Sequence, residues 1–299
     1  MHLRVLHDTL YRYSEPVHAV AMEARLQPAS DNMQNCLRYR LTVSPKAAVG
    51  EYTTYAELVV EHWTILRAEE VRVTAESVVE TRERSLIPIE APPSNIDTVE
   101  QFAYIQPTLL TRDSPAVRAF AAQFARLAAE DWYQAALAIR EAVYHGLGYE
   151  PGRTTTQTTA DDVMTIGAGV CQDFSHLMIA ALRALRIPAR YVSGYLNPVV
   201  NQPTMMQLAS PGAMMQSMSM GEERRVRSAT ASHAWCEVYM GPGAGWRGFC
   251  PTNNLLVDQH FVRIGCGRDY RDTTPIKGVH RGSAREEMIV VVSVAPIDY

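Results

Sequence analysis

The spacing of apolar positions changes about a third of the way along the chain. Through the first 95 residues the period is two. Cys36 to Val43 alternates apolar and polar, and similar runs follow at 56–63 and 71–79, the pattern of half-buried strands. The stretch 87–95 then carries Pro88, Pro92 and Pro93, which cannot continue a sheet, and is predicted to be a linker. Beyond it the period lengthens to that of helices. Ser114 and Pro115 supply an N-cap and a first-turn proline for a helix over 116–129. Asp131 caps a second helix that points Leu137, Ile139 and Val143 inward and stops at Gly146 and Gly148. Thr159 to Asp162 has the spacing of a capping box for a short third helix.

The turn Gly167-Ala168-Gly169 leads into the most informative segment. From 172 to 186, Phe174, Leu177, Met178, Ala181, Leu182 and Leu185 recur at steps of three and four, the stripe of a helix buried on one side, and Ile187-Pro188 ends it. Strands are predicted at 189–196, 233–240 and 246–250, the last two joined by a hairpin loop over 241–245, with a terminal strand at 288–294. The pattern gives an α+β fold. Its domains are a β-rich N-terminal one over 1–95 and a mixed one over 96–299.

Composition narrows the function classes. With 299 residues, 47% hydrophobic and 20% charged, the chain has a real core and is neither disordered nor a coiled coil. A formal net charge of −4 argues against a nucleic-acid binder. No apolar run approaches the ~18 residues of a membrane span, and the start Met1 to Asp8 has no signal-peptide core, so no membrane partner and a cytoplasmic location are expected. Five widely spaced cysteines without a CxxC fit single thiols in a reducing compartment. Basic residues are nearly all arginine, with lysine at Lys46 and Lys277.

Among the cysteines, Cys171 sits at the first turn of the buried helix, directly after the glycine turn. Unpaired N–H groups and the positive end of the helix dipole favour a thiolate there, and the same groups can stabilise an oxyanion. Position alone also admits a small buried hydrophobe. A thiol nucleophile needs a base, and His233 opens the strand Ser232-His233-Ala234-Trp235-Cys236-Glu237. Cys at a helix start with a later His on a strand is an arrangement of acyl-transfer enzymes. On strand alternation Trp235 and Glu237 share the face of His233, which leaves Cys236 to the core.

Four ordered motifs make the pattern specific: Gly169-Val170-Cys171-Gln172-Asp173-Phe174-Ser175-His176-Leu177, Pro188 to Leu196, Ser232 to Trp235, and Gly245 to Asn254. Together they resemble the bacterial transglutaminase-like proteins of the papain-like cysteine enzyme superfamily. His7, Thr9, Tyr11, Tyr13 and Pro16-Val17 are similar to the β-rich N-terminal region of that family, and Gly267 to Tyr270 to its C-terminal part. The resemblance implies a β-rich, sandwich-like first domain and a papain-like second domain, with the nucleophile at a helix N-terminus packed on an antiparallel sheet. It also implies a Cys-His-Asp triad, of which Cys171 and His233 are the first two, with Gln172 and Trp235 as oxyanion or substrate candidates. Where the family pattern reads Asp-Pro-Thr, this chain reads Cys250-Pro251-Thr252. A thiol is a poor acceptor for the imidazole hydrogen.

The activity that this resemblance implies is that of a cysteine-dependent hydrolase or acyl transferase, forming a thioester on Cys171. The substrate is a peptide or protein amide, and no cofactor is needed. Two alternatives stay open: a non-catalytic peptide-binding protein that has lost the triad Asp, and a zinc-dependent hydrolase ligated by Cys171, His233 and Cys250. The stretch between Leu196 and Ser232, with six methionines from Met205 to Met220, reads as an insertion acting as a flap. Oligomeric state is not encoded in any motif.

Overall fold

In a computed structural model, residues 1–54, 56–83, 89–200, 224–225, 227 and 232–298 are described. The methionine-rich stretch 205–220 lies outside them, as does the start of the expected linker. The chain opens with strands β1 (His2–Ala24), β2 (Gln34–Ser44), β3 (Gly50–Thr53) and β4 (Val59–Thr81). β1 and β4 are each 23 residues long and pair antiparallel nearly end to end. The runs at 56–63 and 71–79 are therefore parts of one strand. A register shift between Arg12 and Val17 bends the pair, and apolar residues on either side of it (Tyr11 and Val71, Met22 and Trp63) share one core. A single curled sheet thus supplies the sandwich-like interior.

The middle of the chain is helical: α1 (Val99–Ala103), α2 (Pro115–Ala122), α3 (Ala125–Glu130), α4 (Trp132–Gly146), α5 (Ala160–Ile166) and α6 (Cys171–Ala184), with short strands β5 (Gly148–Tyr149) and β6 (Ala168–Gly169) pairing between them. The caps are those the sequence predicts. Ser114 accepts from the N–H of Val117, Asp131 from those of Tyr133 and Gln134, and Thr159 and Asp162 form the reciprocal box. The helix expected over 116–129 is two, broken at Gln123-Phe124. Within the expected linker, Ala91 is buried and its carbonyl accepts from Trp132, so that segment is packed in place.

The last third holds β7 (Ala189–Leu196), β8 (Val199–Val200), β9 (Arg224–Arg225), β10 (His233–Tyr239), β11 (Trp246–Cys250), β12 (Leu255–Leu256), β13 (Phe261–Gly267), α7 (Tyr270–Thr273), β14 (Ile276–Arg281) and β15 (Glu286–Pro296). An antiparallel five-stranded sheet runs β12-β11-β10-β7-β13, and β8 pairs with β9. Helix α6 lies on it, packing Phe174, Leu177, Met178 and Leu182 into one cluster with Ala234, Cys236 and Val238 of β10.

β14 and β15 do not join this sheet. They pair with the second and first halves of β1, so the end of the chain completes the six-stranded N-terminal sheet. The expected second block, 96–299, therefore gives its last two strands to the first. The two sheets share a core of Leu3, Val5 and Val79 with Tyr195, Val262 and Ile264. No helix among the described residues is long and apolar enough to cross a membrane.

Candidate active site

Two close approaches build the site. Gly169, just before α6, leaves room for the carboxylate of Asp173, which a Cβ at 169 would meet at 2.5 Å. From there Asp173 accepts from the N–H of Val170 (2.7 Å) and the hydroxyl of Thr154 (2.7 Å), fixing the turn that delivers Cys171 to the first position of the helix. Across the sheet His233 pairs with Gly194, where a Cβ would lie 2.5 Å from the Trp235 ring. The absence of that carbon lets Trp235 lie near-parallel to His233, with Phe261 edge-on to the indole.

The sulfur of Cys171 faces the start of β10. Its thiol points to the Ser232 carbonyl at 3.9 Å, and it receives the N–H groups of Ala234 and Gln172. His233 turns Nε2 to Cys250 at 3.1 Å, and the Asn253 amide donates to the same sulfur at 3.5 Å. Hairpin pairing places Cys250 there: β10 and β11 run antiparallel from Tyr239 opposite Trp246 to Cys236 opposite Phe249, which carries Cys250 back beside the opening of β10.

Electrostatics departs from the expectation of a dipole-activated thiolate. Burial pushes the Cys171 thiol up to about 12 and the Cys250 thiol up to about 11, outweighing the N–H groups at each sulfur. Burial likewise drives His233 down to about 3. Burial thus favours the neutral form of each of the three groups.

The other sequence candidates fall into place around them. The Gln172 side chain donates to the Thr156 carbonyl (3.4 Å) while its backbone faces the sulfur. Trp235 is almost fully buried and backs the imidazole. Cys236 is core, as alternation predicts, and His176 accepts from the N–H of Tyr270 beneath Tyr191. Among the described residues no group of three or more His, Cys, Asp or Glu side chains is placed to hold a metal ion, so the zinc alternative lacks its ligand set. A cavity of about 680 Å³ opens elsewhere, lined by Tyr104, Arg190, Trp246 and Arg263, and includes neither Cys171 nor His233.

Two further residues stand at the site, of which Arg140 escaped the sequence reading. Arg140 of α4 is 2% exposed and lies close enough to Cys250 for charge interaction, with Nε donating to Asn254 (2.7 Å). Asn253 bridges the Cys250 sulfur and the N–H of Arg227 (2.8 Å). Asn254 holds its turn at φ 54°, a left-handed conformation that asparagine tolerates better than most residues. An asparagine pair after Pro-Thr is a visible signal for this turn, whereas nothing in the period of α4 marks Arg140 as facing the site.

Comparison with known proteins agrees with this architecture. Residues 118–251 match the transglutaminase-like superfamily, and residues 3–80 match the bacterial transglutaminase-like N-terminal region. An uncharacterized protein of Mycobacterium leprae is 32% identical over 298 residues, covering 98% of each chain. One from Mycobacterium tuberculosis is 30% identical over 321 residues, covering 99% of this chain and 93% of its own. The crystal structure of a candidate cysteine protease from Cytophaga hutchinsonii shares the fold at a TM-score of 0.74 and 24% identity, covering 100% of this chain and 92% of its own. The two matched regions and the full-length relatives agree, and the chain belongs to the transglutaminase-like superfamily.

Proposed function

We propose that the protein is a cysteine-dependent amide or peptide hydrolase that works through a thioester on Cys171. The observation that carries this reading is the meeting of Cys171, at the N-terminus of α6, with Ser232 and Ala234 at the opening of β10, the strand that His233 begins with its Nε2 3.1 Å from Cys250. Because burial keeps thiol and imidazole neutral, proton transfer accompanies attack. His233 takes the Cys171 proton as sulfur bonds the carbonyl carbon, and the N–H groups at the helix start face the oxyanion. The imidazolium then protonates the leaving amine and the C–N bond breaks. Water, deprotonated by His233, attacks the thioester and releases the acid with the free thiol. Cys250 occupies the third position, against Nε2.

An acceptor amine in place of water would give acyl transfer, and Lys46 and Lys277 offer this chain little to transfer onto itself. Hydrolysis is the favoured reading. The neutral thiol of Cys250 gives weight to a second reading, a peptide-binding protein without turnover. Incubation with a library of blocked peptides separates the two. Hydrolysis products that vanish in Cys171→Ala and His233→Ala support the enzyme. Peptide retention that is equal in wild type and Cys171→Ala, with no product, supports the binder.

A further inference from the structure

The polar partners of Cys250 have an asymmetry with consequences for the imidazole. Its sulfur receives the backbone N–H groups of Thr252 and Asn253 and the side-chain amide of Asn253. The orientation of that amide is fixed, because its oxygen accepts from the N–H of Arg227 at 2.8 Å, which turns the NH₂ group toward the sulfur. Arg140 adds a buried cation on the same side, and its Nη1 has no partner among the described residues. Each of these neighbours can donate and none can accept. A neutral thiol has one hydrogen to place, and among these contacts the atom able to take it is His233 Nε2, 3.1 Å away.

We propose that Cys250 locks the resting imidazole of His233 in the tautomer that carries its hydrogen on Nδ1, so that the basic lone pair faces Cys250 instead of Cys171. Asn253 and Arg140 act as positioning residues through Cys250, the first by the amide that donates to its sulfur and the second by its charge. The inference rests on the reading of His233 as the base for Cys171. It makes the resting site latent: the ring must exchange tautomers, or Cys250 must give up its donor role, before the proton of Cys171 has somewhere to go. Holding a triad histidine in the wrong tautomer costs about 10⁴ in turnover where a donor replaces the usual acceptor.

The test reads the tautomer directly. Nitrogen-15 spectra of histidine-labelled protein, with His233→Gln to assign the ring, separate a protonated from a bare nitrogen. Wild type should show His233 with hydrogen on Nδ1. Asn253→Asp, which is isosteric, presents an acceptor for the Cys250 hydrogen and should move the ring hydrogen to Nε2. Alkylation of Cys171 at neutral pH should rise at least about tenfold in the same variant, a small part of the cost above. Cys250→Ala removes the donor and should also speed alkylation, the reverse of what loss of a helpful triad member would do. A wild-type ring with hydrogen on Nε2 overturns the proposal, and so does an unchanged tautomer ratio in Asn253→Asp. Neither spectrum depends on turnover. A locked tautomer in a protein that never acylates Cys171 would therefore sink the hydrolase reading alone, and a free tautomer in an active enzyme would sink the lock alone.

Discussion

At Cys171 two effects compete and their magnitudes decide the resting state. A helix N-terminus stabilises a charge by at most ~2 kcal/mol, while burial here moves the thiol by more than that, up to about 12. The alkylation rate of Cys171 should therefore rise about tenfold per pH unit from 7 to 10, with no plateau near neutrality. A plateau from acid pH upward would mean a preformed thiolate–imidazolium pair. Cys250→Asp puts a carboxylate against His233 Nε2, raises the imidazole from its depressed value and draws the proton from Cys171. Turnover of an amide should then rise at least tenfold, which asks about 1.4 kcal/mol of the new charge-assisted bond. Cys250→Ser exchanges one neutral hydrogen donor for another and should change the rate little.

The elements that carry these residues were legible where a local rule governs them. Caps at Ser114, Asp131 and Thr159, the Gly241–Gly245 hairpin and the stripe of α6 all derive from short-range chemistry, and the structure places them within a few residues of expectation. Long-range pairing was not legible. Nothing in 71–79 says that it continues back to Val59, because the continuity comes from β1 lying alongside. Cys171, His233 and Cys250 stand out by their motifs, yet the S–H of Cys250 is set by Asn253 and Arg140, whose roles need the tertiary turn. Asp173 links both levels, holding Val170 and Thr154 at the start of α6. Asp173→Ala should cost about 1–2 kcal/mol by urea titration, as loss of a cap does. It should also loosen Cys171, visible as faster hydrogen exchange at Val170.

Across the whole molecule, the chain ends reinforce each other. β15 pairs with β1 from Leu3 opposite Pro296 to Tyr13 opposite Glu286, so deleting 276–296 should leave the N-terminal sheet unable to fold, with loss of its cooperative thermal transition. The sheets are further joined by His7, whose Nδ1 meets the Tyr195 hydroxyl at 3.0 Å. Burial holds His7 at about 4 and His176 and His233 at about 3, below the ordinary 6.5. The unfolded chain therefore binds more protons below that value, and stability must fall as pH drops from 6.5 toward 3–4. Unfolding free energies from urea titration at pH 7 and pH 5 should differ by several kcal/mol, with the acid sample weaker. Glu237 lies between Arg190 (2.7 Å) and Arg263 (3.7 Å), and Arg263 also reaches Asp31 near the start of β2. Glu237→Gln should cost about 3 kcal/mol by removing the buried carboxylate that both cations share.

The central claim is that Cys171, served by His233, accepts an acyl group. Intact-mass analysis after brief exposure to a p-nitrophenyl ester tests it most directly. One acyl adduct that hydroxylamine removes should form, mapped to Cys171, absent in Cys171→Ala and strongly reduced in His233→Ala. A folded protein that forms no such adduct, or forms it equally without His233, would contradict it.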